Sequence, residues 1–160
     1  MNTMLSVVRP EPLWFIDALA RIHVSGEETD GRLAIVEGLA RQGDMPPLHL
    51  HRREDEVFHV LEGRMTLHLP GQTIELEPGA TLLAPKGLPH TYRVESETAR
   101  WFAVCLPAGF DGFVASVSEA ASSDELPPLH REHDLAAITA AAEEHGIELL
   151  GPPGALPEAP

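Results

Sequence analysis

Apolar and polar residues alternate with a period of two along the first two thirds of the chain, the pattern of strands that bury one face. The alternation predicts strands over 13–17, 20–25, 33–41, 56–61, 65–69, 73–76, 81–84, 90–94 and 100–106. Turn residues separate them: Glu27 to Gly31, Gly63, Pro70-Gly71 and Pro78-Gly79. After Pro107 the period changes. Phe110, Phe113, Val114 and Val117 recur at helical spacing, which predicts a helix over 110–120 with one apolar face. Residues 122–128 read as a linker. Asp134 is a good N-cap, 135–145 is rich in alanine, and Gly146 is a natural stop, so a second short helix follows. Leu149, Leu150 and Pro152-Pro153 are expected to pack back on the strands, and 155–160 to fray. About ten short strands followed by two helices predict an all-β sandwich or barrel. Residues 1–120 form the barrel with its N-terminal strands and following helix. Residues 121–160 form the linker, C-terminal helix and tail.

Composition narrows the partners. The chain has 160 residues, enough for one domain with a real core. Fifteen prolines and thirteen glycines suit many tight turns. A net charge of −14 argues against nucleic acid, which needs a basic face. No apolar run approaches a membrane span, and residues 1–10 lack the pattern of a signal peptide. The one cysteine, Cys105, excludes an internal disulfide and reads as a small core residue in the run WFAVCL. A reducing cytoplasm fits these features.

Four residues stand out against the strand pattern: His49, His51, Glu56 and His90. His49 and His51 are two apart, so on a strand they share a face. Glu56 opens the next alternating run and can turn to the same face. His90 follows Pro85-Lys86-Gly87-Leu88-Pro89, where the prolines fix φ and the glycine permits a sharp turn. Three imidazoles and a carboxylate that converge suit one divalent first-row metal (Fe, Mn, Ni, Co, Cu or Zn) and leave positions open for a ligand. Alternation places Phe58 and Val60 beside Glu56, and Tyr92 beside His90, as the wall of a substrate pocket. Met45, Trp14 and Phe102 are further candidates. An apolar wall with few polar groups suits a planar or aromatic small molecule. His59 and His68 fall out of phase and should face away. His130 and His133 lack an acidic or cysteine partner set, and His23 and His145 belong to no constellation. Arg52, Arg53, Glu54 and Asp55 read as a solvated loop whose charges cancel.

The two segments resemble the signature motifs of the cupin superfamily. Gly43, His49, His51, Glu56 and Gly63 stand at the spacing of the first motif. Gly79, Pro85, Gly87 and His90 stand at that of the second, with Val94 where the family usually has asparagine. The resemblance implies a jelly-roll β-barrel with the metal inside. A closer resemblance, to small cupins grouped with quercetin 2,3-dioxygenases, rests on Leu13-Trp14-Phe15, Pro46-Pro47-Leu48-His49, Pro107-Ala108-Gly109-Phe110, Gly146-Ile147-Glu148 and Gly151-Pro152-Pro153. It implies a metal-dependent dioxygenase that joins O2 to an enolisable substrate. Glu56 would then be both metal ligand and acceptor of the substrate proton. Two alternatives remain open: an isomerase, lyase or hydrolase with the metal as Lewis acid, and a non-catalytic small-molecule-binding cupin. A homodimer is expected, with the N-terminal strands and the helix at 110–120 near its interface.

Overall fold

A computed structural model describes Val7 and residues 9–160. The reading of residues 1–10 as free of a signal sequence, and the first residues of the span 1–120, fall largely outside the described residues. In chain order the elements are β1 (Leu13–Phe15), β2 (Ala18–Val24), β3 (Ala34–Arg41), β4 (Pro47–His51) and β5 (Asp55–Glu62). They continue with β6 (Met65–Leu69), β7 (Gln72–Leu76), β8 (Thr81–Ala84), β9 (Thr91–Val94) and β10 (Thr98–Leu106). Helix α1 (Phe110–Val117), β11 (Glu119–Ala120), α2 (Leu135–Glu144) and β12 (Ile147–Pro153) complete the chain.

The strands form two antiparallel layers, a jelly roll. One sheet has the order β11-β1-β2-β3-β10-β5-β8. The other is built from β12-β4 and β9-β6-β7, joined by a bridge between His49 and His90. Alternation explains which side chains face the interior. On β5, Glu56, Phe58 and Val60 are buried, while Val57, His59 and Leu61 are not. On the adjacent β10, Ala99, Trp101, Ala103 and Cys105 point the same way. Phe58, Val60, Met65, Leu67, Leu76, Val94 and Trp101 form one dry core between the layers. Val94 is fully buried there opposite Met65. Gly63 must be glycine: its φ is +74°, and a Cβ would lie 2.2 Å from the Thr98 carbonyl.

Four expectations are corrected. Helix α1 ends at Val117 rather than Ala120, because Ser118 turns extended and Glu119–Ala120 pairs with β1 instead. Helix α2 stops at Glu144, with His145 as its C-cap. Residues 147–153 form a strand paired with β4; this region docks through its backbone, and Leu149 and Leu150 remain exposed. The tail does not simply project from the barrel, since Pro160 lies against the Pro70-Gly71 turn, its Cδ 3.3 Å from where a Cβ on Gly71 would stand. The apolar face of α1 is also spoken for. Val114 packs on Ala20 and Val36, and Phe113 on Ala142 and Ile147, so this chain covers it. Among the described residues, no helix is long and apolar enough to cross a membrane.

Candidate metal centre

The four residues singled out by spacing meet inside the barrel. His49 and His51 come from β4, His90 from the start of β9, and Glu56 from β5 on the other sheet. Backbone hydrogen bonds fix the histidine strands. His90 N–H donates to His49 O at 2.8 Å, and His49 N–H to His90 O at 3.2 Å. That pairing puts both rings on one face, and His51 joins them two residues on. The turn before His90 is tied to the same strand, with Gly87 N–H donating to His51 O at 2.7 Å. Gly87 has φ +79°, the left-handed conformation that favours glycine. Glu56 reaches across from the facing layer. Its strand neighbours on either side, Cys105 and Ala84, are small and leave room for the rings.

One ligand atom from each of the four residues lies within 4.8 Å of the others. His51, Glu56 and His90 are almost wholly buried, and His49 is partly so. The outer ring nitrogens are all engaged. His49 Nδ1–H donates to the Pro47 carbonyl at 2.8 Å, and His90 Nδ1–H to the Leu88 carbonyl at 2.9 Å. His51 Nδ1–H donates to Glu54 Oε1 at 2.9 Å. With the proton on Nδ1, each Nε2 carries a lone pair toward the centre. Nε2 of His51 and of His90 both lie 3.0 Å from Glu56 Oε2. The His51 atom is buried and makes no aligned hydrogen bond. In that tautomer acceptors face acceptors at a buried site, an imbalance that a proton on a ring or a bound cation would relieve. The donor set fits one divalent first-row ion bound by three nitrogens and one oxygen.

Burial and the neighbouring charges move these groups in different directions. Burial pulls His49 down to about 3, and the neighbouring His90 and His51 add to the effect. Burial opposes charge on His51 too, but the Glu56 and Glu54 carboxylates outweigh it and raise the ring well above its usual value. Burial alone would push Glu56 up; the His51 and His90 rings overcome it and hold the carboxyl well below the ordinary range.

The proposed wall is mixed. Phe58 and Val60 are fully inside, and the Phe58 ring stands edge-on to His90 at 5.9 Å. Tyr92 packs between Phe58 and Trp101, and its hydroxyl donates to Asp44 Oδ2 at 3.3 Å. Met45 is half-buried. Trp14 and Phe102 lie elsewhere. Trp14 donates to the Glu125 carbonyl beneath Arg131, and Phe102 packs on His23 on the outer face of the large sheet. Trp101, next in sequence, takes the interior position instead. His59 bonds Thr81, His68 faces Thr73, His133 pairs with Asp17, and His145 bonds the Ala141 carbonyl. His130 is exposed.

Sequence reasoning missed Glu54. It read residues 52–55 as a solvated loop, but only part of that loop is solvated. Arg52 pairs with Glu148, and Arg53 donates to the Glu144 carbonyl. Glu54 turns inward, 2% exposed, to His51. The signal available was its place three residues after His51.

Two layers of antiparallel strands closed around three histidines and a glutamate have the form of a small cupin, and part of the chain matches that family. Residues 36–105 match the family model for a cupin domain. The chain is 34% identical over 103 residues to quercetin 2,3-dioxygenase from Bacillus subtilis, a match covering 64% of this chain and 31% of that protein. It therefore spans about a third of that relative. Among solved structures, KdgF from Halomonas sp. superposes with TM-score 0.54 at 20% identity, over 69% of this chain and 94% of that one. The polyketide cyclase RemF from Streptomyces resistomycificus superposes with TM-score 0.50 at 28% identity, over 66% and 76%.

Proposed function

We propose that this protein is a metal-dependent dioxygenase acting on a small aromatic or otherwise enolisable substrate. The observation that carries the reading is the buried cluster in which Glu56 Oε2 faces two imidazole nitrogens at 3.0 Å. The similarity to quercetin 2,3-dioxygenase supports the reaction class. Three Nε2 atoms, from His49, His51 and His90, would hold the ion together with Glu56. A bound ion would supply Lewis acidity and, if redox-active, a path for electrons to O2. Glu56 has the second task of accepting the substrate hydroxyl proton on a carboxylate oxygen, because a carboxylate has two oxygens and can share them. Phe58 and Val60 exclude water from the substrate's plane, and Tyr92 borders the same interior. A reducing compartment, the cytoplasm, belongs to the same proposal and is compatible with the single, buried Cys105. A homodimer belongs to the same proposal, with the N-terminal strands as its candidate interface and without α1, whose apolar face is already covered; light scattering of a monomer at high concentration would remove it.

The decisive test is O2 uptake with a panel of flavonols and enols after loading with each candidate ion. Glu56→Gln keeps the shape and one oxygen but cannot take the proton. It is expected to retain part of the metal while turnover falls by roughly 10²–10⁴-fold, the usual worth of a positioned base. Wild-type turnover in Glu56→Gln, or no uptake across the panel, defeats the reading. The similarity to a polyketide cyclase favours a second reading, non-oxidative chemistry with the metal as Lewis acid. Turnover under argon would select it.

A further inference from the structure

We propose that Glu54 is a positioning residue for the metal centre, aiming the His51 ring and coupling it to the first turn of α1. The inference rests on the reading of His49, His51, Glu56 and His90 as metal ligands. Glu54 is 2% exposed, as buried as the ligand beside it. Its two oxygens have separate tasks. Oε1 accepts from His51 Nδ1–H at 2.9 Å, and Oε2 accepts from the Phe110 backbone N–H at 3.0 Å. Phe110 opens α1, and the N-cap residue, Gly109, has no side chain to cap it. Glu54 supplies that cap from 56 residues away, and the helix N-terminus in turn stabilises its negative charge. Gly109 permits the approach, since a Cβ there would stand 3.1 Å from Glu54 Oε2.

His51 differs from its companions in this respect. His49 and His90 are oriented by backbone carbonyls of their own strands and turns. Of the three rings, His51 alone is oriented by a side chain. A carboxylate on the far nitrogen fixes the tautomer, locks the ring plane and strengthens the nitrogen that faces the metal. A neutral amide in its place can accept from only one of the two donors and must turn its NH2 toward the other.

The test is the affinity for Co(II) and Zn(II), measured by chelator competition, together with the visible spectrum of the Co(II) form. Glu54→Gln should weaken binding by about 10–100-fold and shift the Co(II) spectrum. In a His51→Ala background the same change should alter affinity less than about twofold, because its effect runs through that ring. A role confined to capping α1 predicts otherwise: lower melting temperature of the metal-free chain with affinity and spectrum unchanged. That result overturns the proposal, as does an equal loss in both backgrounds. A wild-type chain that binds neither ion would instead reject the metal site itself. Glu54→Gln is the primary variant because it is isosteric; Glu54→Ala is expected to lose the cap as well.

Discussion

Two glutamates are buried on opposite faces of the large sheet, and they are stabilised in unlike ways. Glu37 on β3 faces outward, in the row of Arg21 and Phe102. Arg100 Nη1 and His23 Nε2 each lie 2.6 Å from it, and Arg21 Nη1 lies at 3.9 Å. These groups floor a groove of about 530 Å³, rimmed by Arg9, Glu11 and Asp124, that shares no residue with the metal cluster. Glu56 faces inward and meets only imidazoles. The outer carboxylate has permanent counter-charges in Arg100 and Arg21; the inner one has only imidazoles, whose charge depends on a proton. That difference, rather than the size of a cavity, marks the inner site as the one suited to take up a cation.

The comparison breaks most visibly on metal addition. With free metal at a hundred times Kd, the wild type should gain about 2.7 kcal/mol of stability by mass action, and its melting temperature should rise by about 5–10 °C. Glu56→Ala should lose most of that response, whereas Glu37→Ala should keep it. A metal response in Glu56→Ala equal to the wild type's would erase the distinction. Next in size is the baseline itself. Glu37→Ala leaves two half-buried arginines and His23 without their shared acceptor, so scanning calorimetry of the metal-free chain should show a loss of about 1–3 kcal/mol. An unchanged melting curve would mean that the outer network contributes nothing.

A third carboxylate sharpens the contrast at smaller scale. Asp44 has neither cation nor imidazole beside it; burial raises it to about 6, although the Tyr92 hydroxyl bond pulls the other way. Its native value lies above the ordinary 3.8, so the folded chain holds the proton more tightly than the unfolded chain. Its contribution to stability is therefore full below about pH 4 and lost as pH rises through 6. Asp44→Asn should melt with the wild type at pH 4 and gain about 1–2 kcal/mol at pH 8, the shift being discounted for partial exposure. Equal melting at both pH values would show that Asp44 is adequately solvated.

The convergence of His49, His51, Glu56 and His90 was legible because it depends on short-range rules: a two-residue spacing on a strand, a constrained turn before His90, and strand alternation through Glu56. The long strands were legible for the same reason. What escaped depends on tertiary pairing. Glu119–Ala120 is too short to show a period, and it becomes a strand only because β1 offers an edge. Residues 147–153 carry Gly151, Pro152 and Pro153, which interrupt strand alternation, yet an edge strand tolerates proline where no partner needs its N–H. Trp101 and Phe102 are adjacent aromatics, and alternation admits only one of them to the core. Glu54 sits among three other charged residues, and nothing in the run Arg52-Arg53-Glu54-Asp55 says which one turns inward; that is decided by His51 on one side and the open end of α1 on the other.

The pairing of β12 with β4 has a bearing on how the protein is made. Leu149 lies opposite His49, about a hundred residues later in synthesis. Until residues 147–153 leave the ribosome, the strand that carries two of the three histidines has an open edge, and the long loop that would cover it has yet to close. If the chain folds as it is made, the histidine strand is sealed late, and a nascent chain stalled before residue 147 would present an unpaired, histidine-bearing edge to chaperones and to neighbouring chains.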